Sequence, residues 1–128
     1  MDARAISELI LDEHPQIKAL IISYLDFGLG ADVLTLLPDD IQADIVRRIA
    51  TLETVEPGAI KELERVMKAK FAANTSLRAS QIGGVKAAAK IMNFTKTEME
   101  TRILGAIKKE DRDLMAEIQD NMLSLIHI

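Results

Sequence analysis

Apolar residues recur at helical spacing along most of the chain, in short runs separated by prolines, glycines and charged residues. A period of three to four residues is typical of amphipathic helices that bury one face. The pattern predicts about eight helices, at residues 5–11, 15–25, 27–36, 38–50, 57–72, 85–93, 96–109 and from 111 onward. Because the connections are short, successive helices must pack against each other. The predicted fold class is therefore all-α.

The tetrapeptide Glu13–Gln16 forms the corner between the first two predicted helices. Pro15 fixes φ near the helical value and lacks an N–H, so it fits a first helical turn and blocks continuation of the preceding helix. A carboxylate, an imidazole and a carboxamide thus gather at one helix N-terminus, where free backbone N–H groups point outward. Folding alone would not need all three, which indicates recognition. The alternative is that His14 and Gln16 merely cap helix ends.

A weak repeat links the third and fourth predicted helices. Ala31-Asp32-Val33-Leu34 recurs as Ala43-Asp44-Ile45-Val46, twelve positions later. A small, an acidic and two apolar residues in the same order indicate that equivalent helix faces are used twice. Such repetition is typical of armadillo or HEAT stacks, although two copies also arise by coincidence.

A polar break follows the fifth predicted helix. Residues 73–82 are mostly polar or small, and the pair Gly83-Gly84 comes directly after them. Glycine readily takes positive φ, so the pair is either a hinge between two lobes or an ordinary loop. Further on, Thr95-Lys96-Thr97-Glu98 has the spacing of a capping box and predicts the start of the next helix there.

Composition supports helix-on-helix packing. The chain has 128 residues, of which 48% are hydrophobic and only 3% aromatic, so Leu, Ile, Val, Ala and Met must supply the core. Sheet sandwiches and barrels prefer β-branched and aromatic residues. No cysteine is present, which excludes disulfides, thiolate metal sites and cysteine nucleophiles. No apolar run approaches the roughly 20 residues that span a bilayer.

Charge argues against nucleic-acid binding. The net charge is −4, with 13 acidic and 8 basic residues in 1–72 against 7 acidic and 8 basic residues in 73–128. Neither part is strongly basic, and no aromatic-basic platform is present. The pair Arg47-Arg48 is compatible with anion binding, although a solvated helix face is the commoner outcome.

Catalytic and metal-binding motifs are absent from the sequence. It contains no P-loop, dinucleotide fingerprint, zinc spacing or EF-hand. A hydrolytic or metal site at Glu13 and His14 is disfavoured because adjacent side chains at a helix start diverge and no third ligand is in prospect. We therefore expect a non-enzymatic protein without metal or cofactor.

Four blocks in order resemble the middle domain of FliG, the rotor protein of the bacterial flagellar switch complex. Glu13-His14-Pro15-Gln16 is similar to its EHPQ signature, and residues 31–38, 43–53 and 83–93 resemble further segments. The resemblance covers residues 5–122 and implies a right-handed armadillo/HEAT-like stack. It divides the chain into an armadillo-like domain at 1–72, a linker with a Gly-Gly hinge at 73–84, a C-terminal helical lobe at 85–122 and a divergent tail at 123–128.

The resemblance implies a cytoplasmic scaffold at the flagellar basal body, on the inner face of the cell membrane and without insertion into it. In that family the EHPQ corner binds FliM, so the implied FliM-binding residues are Glu13, His14, Pro15 and Gln16. The armadillo-like face stacks on a neighbouring FliG subunit. Gly83 and Gly84 are the implied hinge that rearranges when rotation reverses.

Two positions and the C-terminal tail depart from the family pattern. Ile17 stands where Arg or Thr is common, Phe27 replaces an Asp-Pro pair after Asp26, and the tail lacks the Met-Phe-x-Phe-Glu ending. We expect the chain to be a fragment, or a protein reduced to the middle part.

The alternative function is a regulatory domain like the cytoplasmic domain of MgtE-type magnesium transporters. Such a domain would carry acidic residues converging on magnesium.

Overall fold

A computed structural model describes residues 2–52, 65 and 83–126 of the chain. Its seven helices within these ranges are α1 (Ala3–Ile10), α2 (Pro15–Tyr24), α3 (Phe27–Leu36), α4 (Asp39–Ala50), α5 (Val85–Met92), α6 (Thr97–Glu110) and α7 (Arg112–Ile126). The all-α prediction is confirmed, and the predicted bounds differ by only a few residues. The predicted helix at 57–72, apart from Arg65, the polar stretch at 73–82 and His127 lie outside the described residues.

Local signals explain where most of these helices begin. The carboxylate of Asp2 accepts a hydrogen bond from the Ala5 N–H at 2.9 Å, and that of Asp111 accepts one from the Leu114 N–H at 3.0 Å. Each satisfies a backbone donor that a first helical turn leaves free. Helix α4 carries acidic residues in its first turn and arginines in its last, as the helix dipole favours.

The prediction of a capping box at residues 95–98 is wrong. The Thr95 hydroxyl donates to the Met92 carbonyl at 2.7 Å, so it serves the C-terminus of α5 rather than the start of α6. Helix α6 instead begins at Thr97 after Lys96, whose side chain makes no capping hydrogen bond. The Thr95 hydroxyl instead acts as a donor to a carbonyl of the preceding helix, a use that the spacing rule does not consider.

A single aliphatic core runs through all seven helices of the described part. It extends from Ile6 in α1 to Met122 in α7 and is rich in isoleucine. Helix α5 packs on α3, α4 and α7, while α6 packs on α4 and α7. The apolar faces of α3 and α4 are thus covered by later helices of the same chain.

The repeated motif buries its two apolar positions in both helices. Val33 and Leu34 in α3 are completely buried, as are Ile45 and Val46 in α4. Asp32 is exposed and Asp44 is half-buried, so the acidic position of each copy reaches the surface. The third helix begins at Phe27, as predicted, despite the departure from the family pattern there.

The Gly83-Gly84 pair directly precedes α5 and lies beside the C-terminal end of α4. Both residues have positive φ, +80° and +90°, a backbone conformation that L-residues with a side chain rarely adopt. The Gly84 N–H donates to the Ile49 carbonyl at 2.8 Å. A Cβ at Gly83 would collide with the Cβ of Leu52 and lie 2.7 Å from its carbonyl oxygen, whereas a Cβ at Gly84 would meet open space.

These surroundings predict different costs for alanine at the two glycines. We expect Gly84→Ala to lower the free energy of unfolding by on the order of 1–3 kcal/mol, because its backbone region is almost restricted to glycine. Gly83→Ala should cost more, since a clash with Leu52 adds to the backbone strain. Urea denaturation of both variants measures the difference.

Gly105→Ala is the matched control, because a Cβ there meets nothing within 4 Å and no positive φ is involved. It should keep or slightly raise stability, since alanine is the better helix former. Equal stability of Gly83→Ala and the parent would mean that the close approach to Leu52 does not hold this junction.

Candidate protein-docking corner

The tetrapeptide Glu13–Gln16 forms a fixed turn between α1 and α2. The Glu13 N–H donates to the Ile10 carbonyl at 3.0 Å and the Lys18 N–H donates to the His14 carbonyl at 3.0 Å, which close the chain on both sides of the turn. Pro15 occupies the first helical position of α2, as predicted. His14, Pro15 and Gln16 are exposed and Glu13 is half-buried. The backbone of the corner is thus fixed, with three of its four side chains exposed.

His14 and Gln16 do not behave as simple helix caps. The His14 side chain makes no capping hydrogen bond to α2, although the residue stands at the N-cap position. The Gln16 Oε1 accepts a hydrogen bond from Nη1 of Arg48 at 3.0 Å, which ties the corner to α4. The geometry therefore leaves the imidazole available at the surface and positions the carboxamide through a distant helix.

Asp44 holds the Arg48 side chain that binds Gln16. Its carboxylate accepts hydrogen bonds from Nη2 of Arg47 at 2.7 Å and from Nε of Arg48 at 2.9 Å. Burial alone would raise the pKa of Asp44, but the hydrogen bonds and charges of Arg48 and Arg47 outweigh it and lower the pKa below its usual 3.8. The two arginines thus already hold a carboxylate of the chain, which accounts for the Arg47-Arg48 pair without an external anion.

A second polar cluster joins α4 to α6. Gln42 is only 1% exposed, and its Nε2 donates to the carbonyls of Leu34 and Leu37 at 3.1 Å each. Its Oε1 accepts from Nη2 of Arg102 at 2.6 Å. The same Arg102 atom lies 3.4 Å from Asp39 Oδ1.

Sequence reasoning missed the contact between Gln42 and Arg102. The two residues are 60 positions apart, and only the packing of α6 on α4 brings them together. The one available signal was the position of Gln42 on the apolar stripe, three and four residues before the buried Ile45 and Val46. A polar residue on a buried stripe needs a partner, but the pattern does not identify it.

The predicted hinge residues lie elsewhere in the structure, at the start of α5. Of the two residues that differ from the family pattern, Ile17 is half-buried and packs against the core. Phe27 lies beneath the ammonium group of Lys90, with 5.2 Å between Nζ and the ring centroid.

Among the residues that the structure describes, no three histidine, aspartate or glutamate side chains are grouped so as to hold a metal ion. None of the described helices is both long and apolar enough to cross a membrane.

The fold places the chain in the class of all-helical proteins built from short stacked helices. Residues 3–78 match the family described as the FliG middle domain. The chain is 38% identical over 122 residues to the flagellar motor switch protein FliG of Vibrio cholerae, which covers 95% of this chain and 35% of that protein. The FliG of Thermotoga maritima is 35% identical, with 94% of this chain and 36% of that protein covered.

A crystal structure of Helicobacter pylori FliG, residues 116–343, aligns with a TM-score of 0.52 and 27% identity, over 95% of this chain and 53% of that one. The chain belongs to the FliG middle-domain family, because the family match covers more than half of its residues. It spans about a third of the length of the curated relatives that it matches.

The lowered pKa of Asp44 gives a prediction about acid stability. At pH 7 we expect Asp44→Asn to be less stable than the parent by about 0.2–1 kcal/mol, a modest value because the carboxylate is partly exposed and screened. Since folding lowers this pKa, the contribution is complete above about pH 4 and is lost as the pH falls through the lower folded value.

Thermal unfolding of both proteins between pH 7 and pH 2 tests this expectation. The difference in Tm should shrink below about pH 4. Asp32→Asn is the matched control, because Asp32 holds the same place in the repeat but is exposed. A difference in Tm between the parent and Asp44→Asn that stays constant down to pH 2 would contradict the role of Arg47 and Arg48.

Proposed function

We propose that this chain is a non-enzymatic scaffold of the flagellar switch complex, which docks FliM through the Glu13–Gln16 corner. The observation that carries the proposal is the Gln16–Arg48–Asp44 chain of hydrogen bonds, which fixes a polar corner where the exposed His14 side chain makes no capping hydrogen bond. Membership of the FliG family supports the same function.

The corner is organised before a partner arrives. Pro15 fixes the backbone, and Arg48 restricts the rotamers of Gln16. A side chain already held in its bound geometry loses less conformational entropy on association, and this raises affinity without adding contacts. Rigid presentation of a few polar groups suits a docking site that must recognise one partner in one orientation.

The proposal predicts that the corner binds FliM with little effect on stability. Titration calorimetry with the middle domain of FliM should give a micromolar or tighter Kd. His14→Ala and Gln16→Ala should each weaken binding by roughly tenfold or more, since each removes a polar contact at the interface. Their Tm values should stay close to that of the parent, because both side chains are exposed.

Gln119→Ala is the matched control for these variants, since it removes an exposed carboxamide from α7. Loss of stability in parallel with binding would identify a structural corner instead. Absence of binding by well-folded protein would overturn FliM docking.

Stacking on neighbouring subunits is the second part of the proposal. In the structure α5 packs on α3 and α4, and α6 packs on α4, all within one chain. A neighbouring copy carries the same helices and therefore offers the same apolar surface. Exchange of α5–α7 between copies would replace the contact within a chain by an equivalent contact between chains.

The Gly83-Gly84 pair is the proposed joint for this exchange. Helix α5 begins directly after the pair, whose positive φ values leave few alternatives to glycine. A change in the backbone dihedral angles of these two glycines would redirect α5–α7 as a unit, as at a hinge between packed elements. The proposed link to function is that the two arrangements correspond to different rotation directions.

Gly84→Ala tests the joint in cells whose rotor carries this segment. The added Cβ meets open space, so the variant should assemble while its backbone is restricted. We expect a shifted balance between clockwise and counter-clockwise rotation, measured on tethered cells. Gly105→Ala controls for the added methyl group, and an unchanged balance in Gly84→Ala alongside normal motility would contradict the hinge.

A further inference from the structure

Gln42 is a buried carboxamide whose hydrogen bonds depend on two parts of the fold. Both N–H donors are used by carbonyls at the C-terminal end of α3, and the oxygen is used by Arg102 of α6. A buried acceptor without a donor costs free energy, and a charged donor makes a stronger hydrogen bond than a neutral one. The Gln42 oxygen is therefore satisfied by α6 only when Arg102 lies beside it.

The apolar part of the contact is less selective. Helix α6 contributes Ile103 and Ile107 to the core, four residues apart, and α4 contributes Ile45 and Ile49 with the same spacing. A shift of one helical turn, about 5.4 Å, would place one isoleucine where the other had been. Such one-turn displacements occur between packed helices, because their surfaces repeat.

An ion pair between α4 and α6 constrains their packing less than the hydrogen bond to Gln42 does. Arg47 Nε lies 3.6 Å from Glu110 Oε2, but the Glu110 side chain is 72% exposed. Exposed pairs contribute little and are screened by salt. The buried Gln42 thus sets a stricter geometric condition on α6 than this pair does.

We infer that the Gln42–Arg102 contact sets the register in which the C-terminal helices sit on α4. A polar contact in an otherwise apolar interface selects one arrangement, because every other arrangement leaves a buried group unsatisfied. The same contact then selects the C-terminal helices of a second copy, a consequence that rests on the stacking proposed above.

Double spin labelling tests the register within one chain. The chain has no native cysteine, so Asp40→Cys in α4 and Lys108→Cys in α6, both exposed, supply specific label sites. The parent should give one narrow distance distribution by pulsed electron spin resonance. Arg102→Met should add a second distance that differs by up to about 5.4 Å, or broaden the first.

Arg112→Met is the matched control, because it removes an exposed arginine from the start of α7. It should keep the single distance. If Arg102→Met does not fold, the double variant Gln42→Met with Arg102→Met removes both polar side chains, and the same second distance is expected. A single narrow distance identical to the parent in the folded variant would overturn the inference.

Selection between copies is measured by mixing chains labelled only at Asp40 with chains labelled only at Lys108. A distance between chains appears only if copies stack. Its absence from parent mixtures would contradict the stacking proposal. The measurement within one chain would still decide the register. With stacking present, Arg102→Met helices should enter mixed assemblies roughly tenfold less often than parent helices. Equal entry would overturn selection by this contact.

Discussion

The fold depends on the burial of the apolar surfaces of α3 and α4, which pack on α1 and α2 as well as on α5 and α6. A chain with 3% aromatic residues gains its hydrophobic stabilisation from many aliphatic side chains rather than from a few large rings. Short helices cannot bury enough of that surface alone, so each must be covered by a neighbour. The repeated motif at Ala31 and Ala43 supplies this surface twice, and the continuous core follows from it.

Polar side chains give direction to this aliphatic stack. Gln42 and Arg102 join α4 to α6, whereas Asp44 and Arg48 join α4 to the corner through Gln16. Helix α4 thus touches both the corner and the C-terminal helices. A partner that moved the corner would act on the helix that also carries the stacking contacts, which is the physical basis for coupling docking to rearrangement in the proposed function.

The local features of the chain were mostly readable from sequence. Pro15 and Asp111 marked helix starts, the stripes marked buried faces, and Gly83 and Gly84 marked a backbone that needs positive φ. The failure at Thr95 has the same local character, since its hydroxyl had two possible uses and the spacing rule considered one. Recognition of the family rested on short blocks in order, and the family match confirmed it.

The sequence by itself determined the all-α class, the approximate helix bounds and the polar corner, because these depend on residues within a few positions of each other. The tertiary structure alone decided which helices cover α3 and α4, that Arg48 holds Gln16 and that Arg102 satisfies Gln42. Those contacts join residues 32 and 60 positions apart, and periodicity carries no information about such pairs. Only the packing of the aliphatic faces brings them within hydrogen-bonding distance.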